Sequence, residues 1–549
     1  MYGSVDHISL SPSIIPRFFL LWSLGNKTHM KNLRLLSVFI VSTLVAALGL
    51  WFLAGFTTAT PAGGFQLYLY SLVAGFLVTV IAWIFEQKEH PPGLRLLFFT
   101  EMWERFSYYG MRGLLILYLT KSYIEGGLGF SDSQAGLIYG TYTGLVYLTP
   151  IIGGWLADNF IGQRRAITIG GLLMAAGQFA LAAKGLLGLE SIGNAGFYLG
   201  LLLLIIGNGF FKPNISIVVG KLYQNTDPRK DAAFNIFYMG INLGAFLAPL
   251  VCGFLAEDFF AQRSEDGTSI ARYGFEYGFL AAGLGMLAGQ IMYNLLGNKY
   301  LGNVGVEPEA KKTAREAKEA GTTVSNAPLT KEEKDRTAVI FILVAFVTFF
   351  WAGFEQAGGA LSIYTDKYIN RTVSDFLIPT SWFQSVNPLF IVLLAPLFTM
   401  LWLKLAAKNK EPNTPVKMGL GMILLGLGFM LMVGAIFERG GDIPDENIKA
   451  NIMWLLGTYL IHTCGELCLS PVGLSMVTKM APVKLASMLM GIWFLSSFIA
   501  NQLAGLTLSV IDSMGALAVF SGIGVGVALL GLVLILVNKK IIAMMHGIR

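Results

Sequence analysis

Runs of roughly 20 to 28 mostly apolar residues recur along the whole 549-residue chain, and each is long enough to cross a bilayer as a helix. At 1.5 Å rise per residue, about 20 helical residues span a hydrocarbon core of about 30 Å. A large soluble protein with a big core would show shorter runs of about 5 to 12 residues, and the strands of a membrane β-barrel alternate and are only about 10 long. The charge content agrees. Only 13% of residues are charged and 54% are hydrophobic, whereas a soluble domain carries about 25% charged residues to cover its surface. The formal net charge of +6 is spread over short segments between the runs. No basic module is gathered for a nucleic acid, so none is expected as a partner. Cys252, Cys464 and Cys468 all fall in apolar stretches. They show no disulfide or zinc spacing and read as small buried hydrophobes.

About fourteen spans are predicted. Two come first, near 35–56 and 65–86. Six follow near 94–122, 132–157, 165–185, 195–221, 230–256 and 273–297, and six more near 337–368, 382–404, 416–437, 448–479, 484–510 and 515–545. The first run resembles a signal peptide in its basic flank. Its length of about 22 residues exceeds the 7 to 15 of a signal core, and a second span follows at once, so a retained hairpin turning at TTATPAGG is preferred. The expected organisation is an N-terminal segment with an extra hairpin (1–93), a six-helix bundle (94–297), a charged linker (298–336) and a second six-helix bundle (337–549). The linker sequence EAKKTAREAKEA is compatible with a surface helix.

Lysine and arginine set the orientation. With the N-terminus in the cytoplasm, that side collects Arg164, Arg165, Lys221, Arg229, Lys230, the linker, Lys404, Lys408, Lys410, Lys539 and Lys540. The opposite side keeps few, among them Lys121, Lys184, Lys367 and Arg371. Both termini of a multi-pass cell-membrane protein are therefore expected inside, with the lipid bilayer as solvent. No obligate protein partner is inferred.

Ionisable residues inside the spans carry the functional expectation. Glu101, Glu104, Arg105, Arg112, Lys212, Glu355 and Glu466 all fall in apolar runs. Left unpaired they would together cost on the order of 20 kcal/mol, so they must face one another, face water, or take up protons. In FTEMWERFSYYGMRG, positions 101, 104, 105, 108 and 112 share an arc of roughly 100° on one helix face. A static seam of ion pairs would give the same pattern; five such positions echoed in three other spans favour a working site. Lys212 precedes Pro213, a plausible hinge, and Glu466 precedes Pro471. Broken helices around such charges are expected of moving substrate sites. The first bundle supplies cations (Arg105, Arg112, Lys212) and the second supplies carboxylates (Glu355, Glu466). A cleft between them would suit a zwitterion, with Tyr109, Tyr147, Trp351 and Trp493 as a tolerant aromatic lining.

At these residues the chain resembles the proton-coupled oligopeptide transporter family of the major facilitator superfamily. EMWERFSYYG is similar to that family's ExxER-F-YYG signature. GGWLADNFIGQRRAI and FNIFYMGINLGAFLAPL resemble its further signatures, and GNGFFKPNIS, WAGFEQ and GELCLSPVG resemble its charged fourth, seventh and tenth core helices. The resemblance covers roughly residues 94–545. It implies an all-α membrane fold of two six-helix bundles, here with an extra N-terminal hairpin, and import of di- and tripeptides with protons as the coupling ion by alternating access. It implies that Arg105 and Lys212 bind the peptide carboxylate and that Glu466 meets the amine and pairs with Lys212. Glu101, Glu104 and Arg105 would serve proton coupling, and Glu355 would be a protonation site facing Arg112. Tyr109, Tyr147, Asn242, Trp351 and Trp493 would line the pocket, and Asp158 would sit in a conformational loop. No histidine stands between His90 and His462, so proton handling should rest on carboxylates; His462 itself reads as satisfied or exposed. No metal, nucleotide or other cofactor is implied. GxxxxGK[ST], GxSxG and HExxH are all absent, which argues against an ATP-driven pump and a hydrolase. Rival readings are a proton-coupled carrier of another small anion or metabolite, such as nitrate or an amino acid derivative, and a non-transporting receptor or scaffold.

Overall fold

A computed structural model describes residues 43, 64–87, 89–188, 194–224, 226–265, 269–308, 330–373, 376–482 and 485–547. Contacts divide the chain into two units. The first, Met1–Pro91 with Thr372–Leu377, contains helix α1 (Gly64–Glu86) and a short antiparallel pair, Thr372–Val373 with Phe376–Leu377. α1 matches the second expected span. The first expected span, apart from residue 43, and the linker sequence EAKKTAREAKEA lie outside the described residues.

Among the described residues the second unit holds thirteen α-helices. A first set comprises α2 (Pro92–Thr120), α3 (Asp132–Leu156), α4 (Gln163–Leu186), α5 (Ala195–Lys221), α6 (Lys230–Phe254) and α7 (Phe275–Leu301). A second set comprises α8 (Lys331–Phe354), α9 (Ala360–Tyr368), α10 (Val386–Ala407), α11 (Thr414–Glu438), α12 (Ile452–Met480), α13 (Ala486–Met514) and α14 (Ala516–Met544). α3 and α6 each run on into one π-helical turn, Ala157–Ile161 and Leu255–Phe259. Helices prevail because a bilayer offers no water to the backbone, so every N–H and C=O must be satisfied within its own segment. Eleven helices among the described residues are long and apolar enough to cross a membrane. α2, with 29 residues, stands outside that set because of its own charges. The expected count of about fourteen is not reached by this set.

Local chemistry fixes several helix starts. Ser131 accepts from the Gln134 N–H at 3.2 Å while the Gln134 side chain accepts from the Ser131 N–H at 3.3 Å, a reciprocal capping box at α3. Thr330 and Glu333 do the same at α8. Asn413 caps α11, with Pro415 just inside the helix.

Within the first set α4 packs on α5 and α7, and α2 packs on α6 and α7. Within the second α11 packs on α12 and α14. Between the sets, α3 lies against α13, and α6 lies against α10 and the 3-10 helix Thr380–Ser385. The α3–α13 approach depends on glycine. A Cβ on Gly505 would stand 2.3 Å from the Gly136 carbonyl oxygen, and one on Gly140 would stand 2.6 Å from the Asn501 carbonyl oxygen. Small residues let two backbones meet where no hydrophobic drive pulls helices together within lipid.

Most polar links between the sets lie at one end of the unit, the end expected to face outward. Lys121, just past α2, pairs with Asp366 at 2.7 Å, and Lys367 pairs with Asp132 at 2.9 Å. Glu257, buried at the end of α6, accepts the backbone N–H groups of Thr380 at 2.6 Å and Ser381 at 3.0 Å. Trp382 and Ser385 donate to the carbonyls of Leu250 and Phe246. Among the described residues, every ion pair joining the sets lies at this end, except one deeper in.

Candidate functional site

That deeper pair is Arg112 with Glu355. Arg112 lies two turns before the end of α2, about 12 Å in at 1.5 Å per residue. Glu355 stands where the α8 helix breaks. Residues Glu355–Gly358 form a 3-10 turn before α9 resumes, so one predicted span, 337–368, is in fact interrupted at its charge. The glycines of EQAGGA account for the break: helix interiors disfavour glycine. Gly358 also leaves the space Tyr139 needs, since a Cβ there would meet the tyrosine hydroxyl at 1.8 Å. Arg112 Nε donates to that Tyr139 hydroxyl at 2.8 Å. The guanidinium is thus held by the carboxylate and a phenol together, and both charged side chains are buried.

Two to three turns deeper, α2 carries a second cluster. Arg105 donates to Glu101 at 2.8 Å and lies 3.1 Å from Glu104. Asn208 of α5 donates its amide to Glu104 at 3.0 Å. Two carboxylates share one guanidinium, and the second oxygen of Glu101 completes no hydrogen bond. The predicted single face of α2 is observed: positions 101, 104, 105, 108 and 112 are all buried, and Tyr108 stacks on Tyr142.

Between the sets lies a cavity of about 230 Å³. Of the residues named from sequence, Tyr109, Arg112, Tyr147, Asn242, Trp351, Glu355 and Glu466 line it. Arg105, Lys212 and Trp493 do not. Lys212 lies behind the wall with its ammonium 4.0 Å from the centre of the Tyr147 ring. Trp493 is partly exposed on α13, and its carbonyl accepts from Ser496. Glu101 and Glu104 form the Arg105 cluster. Asp158 sits in the π turn after α3 and accepts from Gln163 at 2.6 Å.

Two expectations are corrected. Lys212 and Glu466 do not pair. Tyr147 offers the ammonium a ring face, a cation–π contact, while the Glu466 carboxylate accepts from the Asn387 amide at 2.9 Å. Each charge is therefore satisfied without the other. Nor are the helices broken at Lys212 or Glu466: α5 continues through Pro213 and α12 through position 471. Proline removes one backbone hydrogen bond, and neighbouring helices tolerate that loss in a membrane.

Several site residues escaped the sequence reading. Asn387, Tyr139, Asn208, Tyr238 and Gln384 touch the charges or line the cavity. Amides inside apolar runs, as in SVNPLF and IIGNGF, were the available signal. His462 lines the cavity too, with Nε2 3.1 Å from the Leu425 carbonyl oxygen, a satisfied histidine as expected.

A cavity walled by buried charges from two sets of membrane-spanning helices defines a multi-pass carrier of small polar solutes. A family model described as the POT family matches residues 164–311 and 309–521. The chain belongs to the POT family, whose members are proton-coupled transporters with the major facilitator fold. It is 37% identical over 505 residues to the uncharacterized transporter YclF of Bacillus subtilis, covering 84% of this chain and 96% of that one. It is 34% identical over 470 residues to the peptide transporter YePEPT of Yersinia enterocolitica, covering 76% and 87%. Among solved structures it resembles a mutant of peptide transporter POT in complex with alafosfalin, with TM-score 0.72, 36% identity and coverage of 83% and 96%. Membership of a transporter family points away from catalysis.

Proposed function

We propose that this chain imports di- and tripeptides together with protons by alternating access, with both termini in the cytoplasm. The observation that carries the reading is the Arg112–Glu355 pair, which joins the two helix sets at the wall of a cavity that also holds Glu466. A carboxylate that must release an arginine before its helix set can move is a natural coupling point. Protonating Glu355 removes the charge that holds Arg112, and the cost of separating the sets falls.

In this reading Glu466 receives the peptide ammonium, displacing Asn387. Lys212 swings from the Tyr147 ring to the peptide carboxylate, with Arg105 behind it. Glu101 and Glu104, sharing Arg105, are the second proton-responsive element. Tyr109, Asn242, Trp351 and, after rearrangement, Trp493 contact side chains of varied size. Asp158, Pro213 and Pro471 belong to the segments that bend as the inner end opens and closes. The relatives named as peptide transporters support the substrate class. One proton falling through about 100 mV and one pH unit releases about 2.3 plus 1.4 kcal/mol, enough for roughly several-hundred-fold accumulation of a neutral zwitterion.

Purified protein in proteoliposomes with an acidic exterior tests this. Labelled dialanine should accumulate and protonophore should abolish the accumulation. Accumulation of nitrate or free alanine in place of the dipeptide would refute the substrate assignment.

A further inference from the structure

When Glu355 gives up Arg112, a buried guanidinium is left that still needs an acceptor. The groups turned toward Arg112 limit where that acceptor can come from. Glu355 reaches it from the break between α8 and α9 and is, among the described residues, the one carboxylate within ion-pair distance. The other neighbours are phenols. α2 itself brings Tyr108 and Tyr109, α3 brings Tyr139 and Tyr142, and α12 brings Tyr459. The Tyr109 ring centre lies 5.8 Å from the guanidinium carbon, at the edge of useful cation–π range. Among these phenols only Tyr139 hydrogen-bonds Arg112, accepting from Nε at 2.8 Å.

Packing fixes that hydroxyl in place. Tyr139 is 2% exposed. Gly136 and Gly140 stand on either side of it in the chain and bring α3 against α13. Its hydroxyl fits against Gly358 of the break, where a Cβ would crowd the hydroxyl and also stand 3.2 Å from Arg112 Nη2. The two hydrogen-bond partners of Arg112 differ in one decisive respect. Glu355 belongs to the second set, so its contact must part when the sets separate. Tyr139 belongs to the first set with Arg112, so its contact can persist through the movement. A hydrogen bond to an unbalanced charge is also stronger than one to a charge already neutralised by a carboxylate.

We propose, given the coupling role of Glu355 set out above, that Tyr139 is a positioning residue for proton coupling: its hydroxyl keeps Arg112 docked in the first set while Glu355 is protonated. The guanidinium is then neither stranded nor drawn toward Glu466, the other carboxylate of the same cavity. It also stays in place to recapture Glu355 once the proton leaves. The phenol remains neutral and carries no proton itself.

Tyr139→Phe keeps the ring and removes the acceptor. In proteoliposomes the maximal rate of gradient-driven dialanine uptake should fall about tenfold, with KM within about twofold because Tyr139 does not line the cavity. Reversible unfolding in mixed micelles separates this role from simple packing. Removing the hydroxyl should lower the folded-to-unfolded ratio about threefold in the parent. In Glu355→Gln, where no carboxylate balances Arg112, the same change should lower it about thirtyfold. With Arg112→Ala added to Glu355→Gln, so that neither charge is present, the change should cost less than about twofold. An equal cost in all three backgrounds, or uphill uptake at the parent's rate in Tyr139→Phe, would overturn the proposal. Uphill uptake by Glu355→Gln alone would instead refute the coupling role of Glu355, a separate failure. Should Tyr139→Phe fail to fold in the Glu355→Gln background, the threefold loss in the parent against none in the charge-free background decides.

Discussion

Arg112 and Glu355, 243 positions apart in the chain, meet as an ion pair that fastens α2 to the break between α8 and α9, with the Tyr139 hydroxyl as a third member. Lys212 and Glu466, also of opposite charge, instead take separate partners in Tyr147 and Asn387. The two relationships make different predictions for the same kind of experiment.

Arg112→Ala or Glu355→Ala alone strands a buried charge and should cost about 3–5 kcal/mol of stability. The double variant should cost less than the sum, with a coupling on the order of 2 kcal/mol. The corresponding cycle on Lys212 and Glu466 should be additive within about 0.5 kcal/mol without substrate. Reversible unfolding in mixed micelles provides both cycles. Strong coupling between Lys212 and Glu466 would contradict their separate engagement by Tyr147 and Asn387.

Lys212→Ala and Glu466→Gln should each weaken dipeptide binding, because each removes a charge-assisted contact to one peptide terminus. The expected loss is about ten- to a hundredfold. A dipeptide amide lacking the free carboxylate should bind the Lys212→Ala protein as weakly as it binds the parent, a comparison that equilibrium binding makes directly.

Gly505→Ala should pry α3 from α13, since its new methyl would press on the Gly136 carbonyl. Overpacking of this kind costs about 1–3 kcal/mol. The cost falls on the conformation closed at the outer end, so cysteine probes there should label faster than in the parent protein. Unchanged labelling would show that the contact does not hold this end shut.

The outer latch of Lys121 and Asp366 should not be a pH sensor. Burial by itself would lower the Lys121 pKa, but Asp366 more than reverses this and holds it well above the ordinary lysine range. A raised folded-state pKa gives a contribution that is complete below about 10.4 and is lost only as pH rises through the higher value. Lys121→Met should therefore loosen outer closure equally at pH 5.5 and pH 7.5, as spin-label distances across that end can report. A loosening confined to one of these values would place a titrating group in the latch.

The apolar runs made the helices legible, because in a bilayer length and hydropathy nearly determine where a helix must lie. The α2 charges were legible for the same reason: Glu101, Glu104, Arg105 and Arg112 stand out against apolar neighbours and share one face. Partner choice was legible only in part: the resemblance set Glu355 against Arg112, as observed, but it also set Glu466 against Lys212, a pair that does not form. Asn387 and Tyr147 capture Glu466 and Lys212 through approaches set by helix packing, which periodicity does not encode. The break at Glu355 was misplaced onto Pro213 and Pro471, because the Gly358–Gly359 pair rather than a proline interrupts the helix there. The Glu257 contact with the Thr380 and Ser381 N–H groups went unnoticed, since a carboxylate near the end of a span reads as solvated until a second chain segment is seen to cover it.

In the proposed mechanism, protonation of Glu355 releases Arg112 and so couples proton flow to the movement of the helix sets. Glu355→Gln protein in proteoliposomes tests it most directly, with gradient-driven uptake and equal-pH counterflow of the same labelled dipeptide measured side by side. Uphill uptake should fall to background while counterflow persists. Uphill uptake at the parent's level in that variant would contradict it.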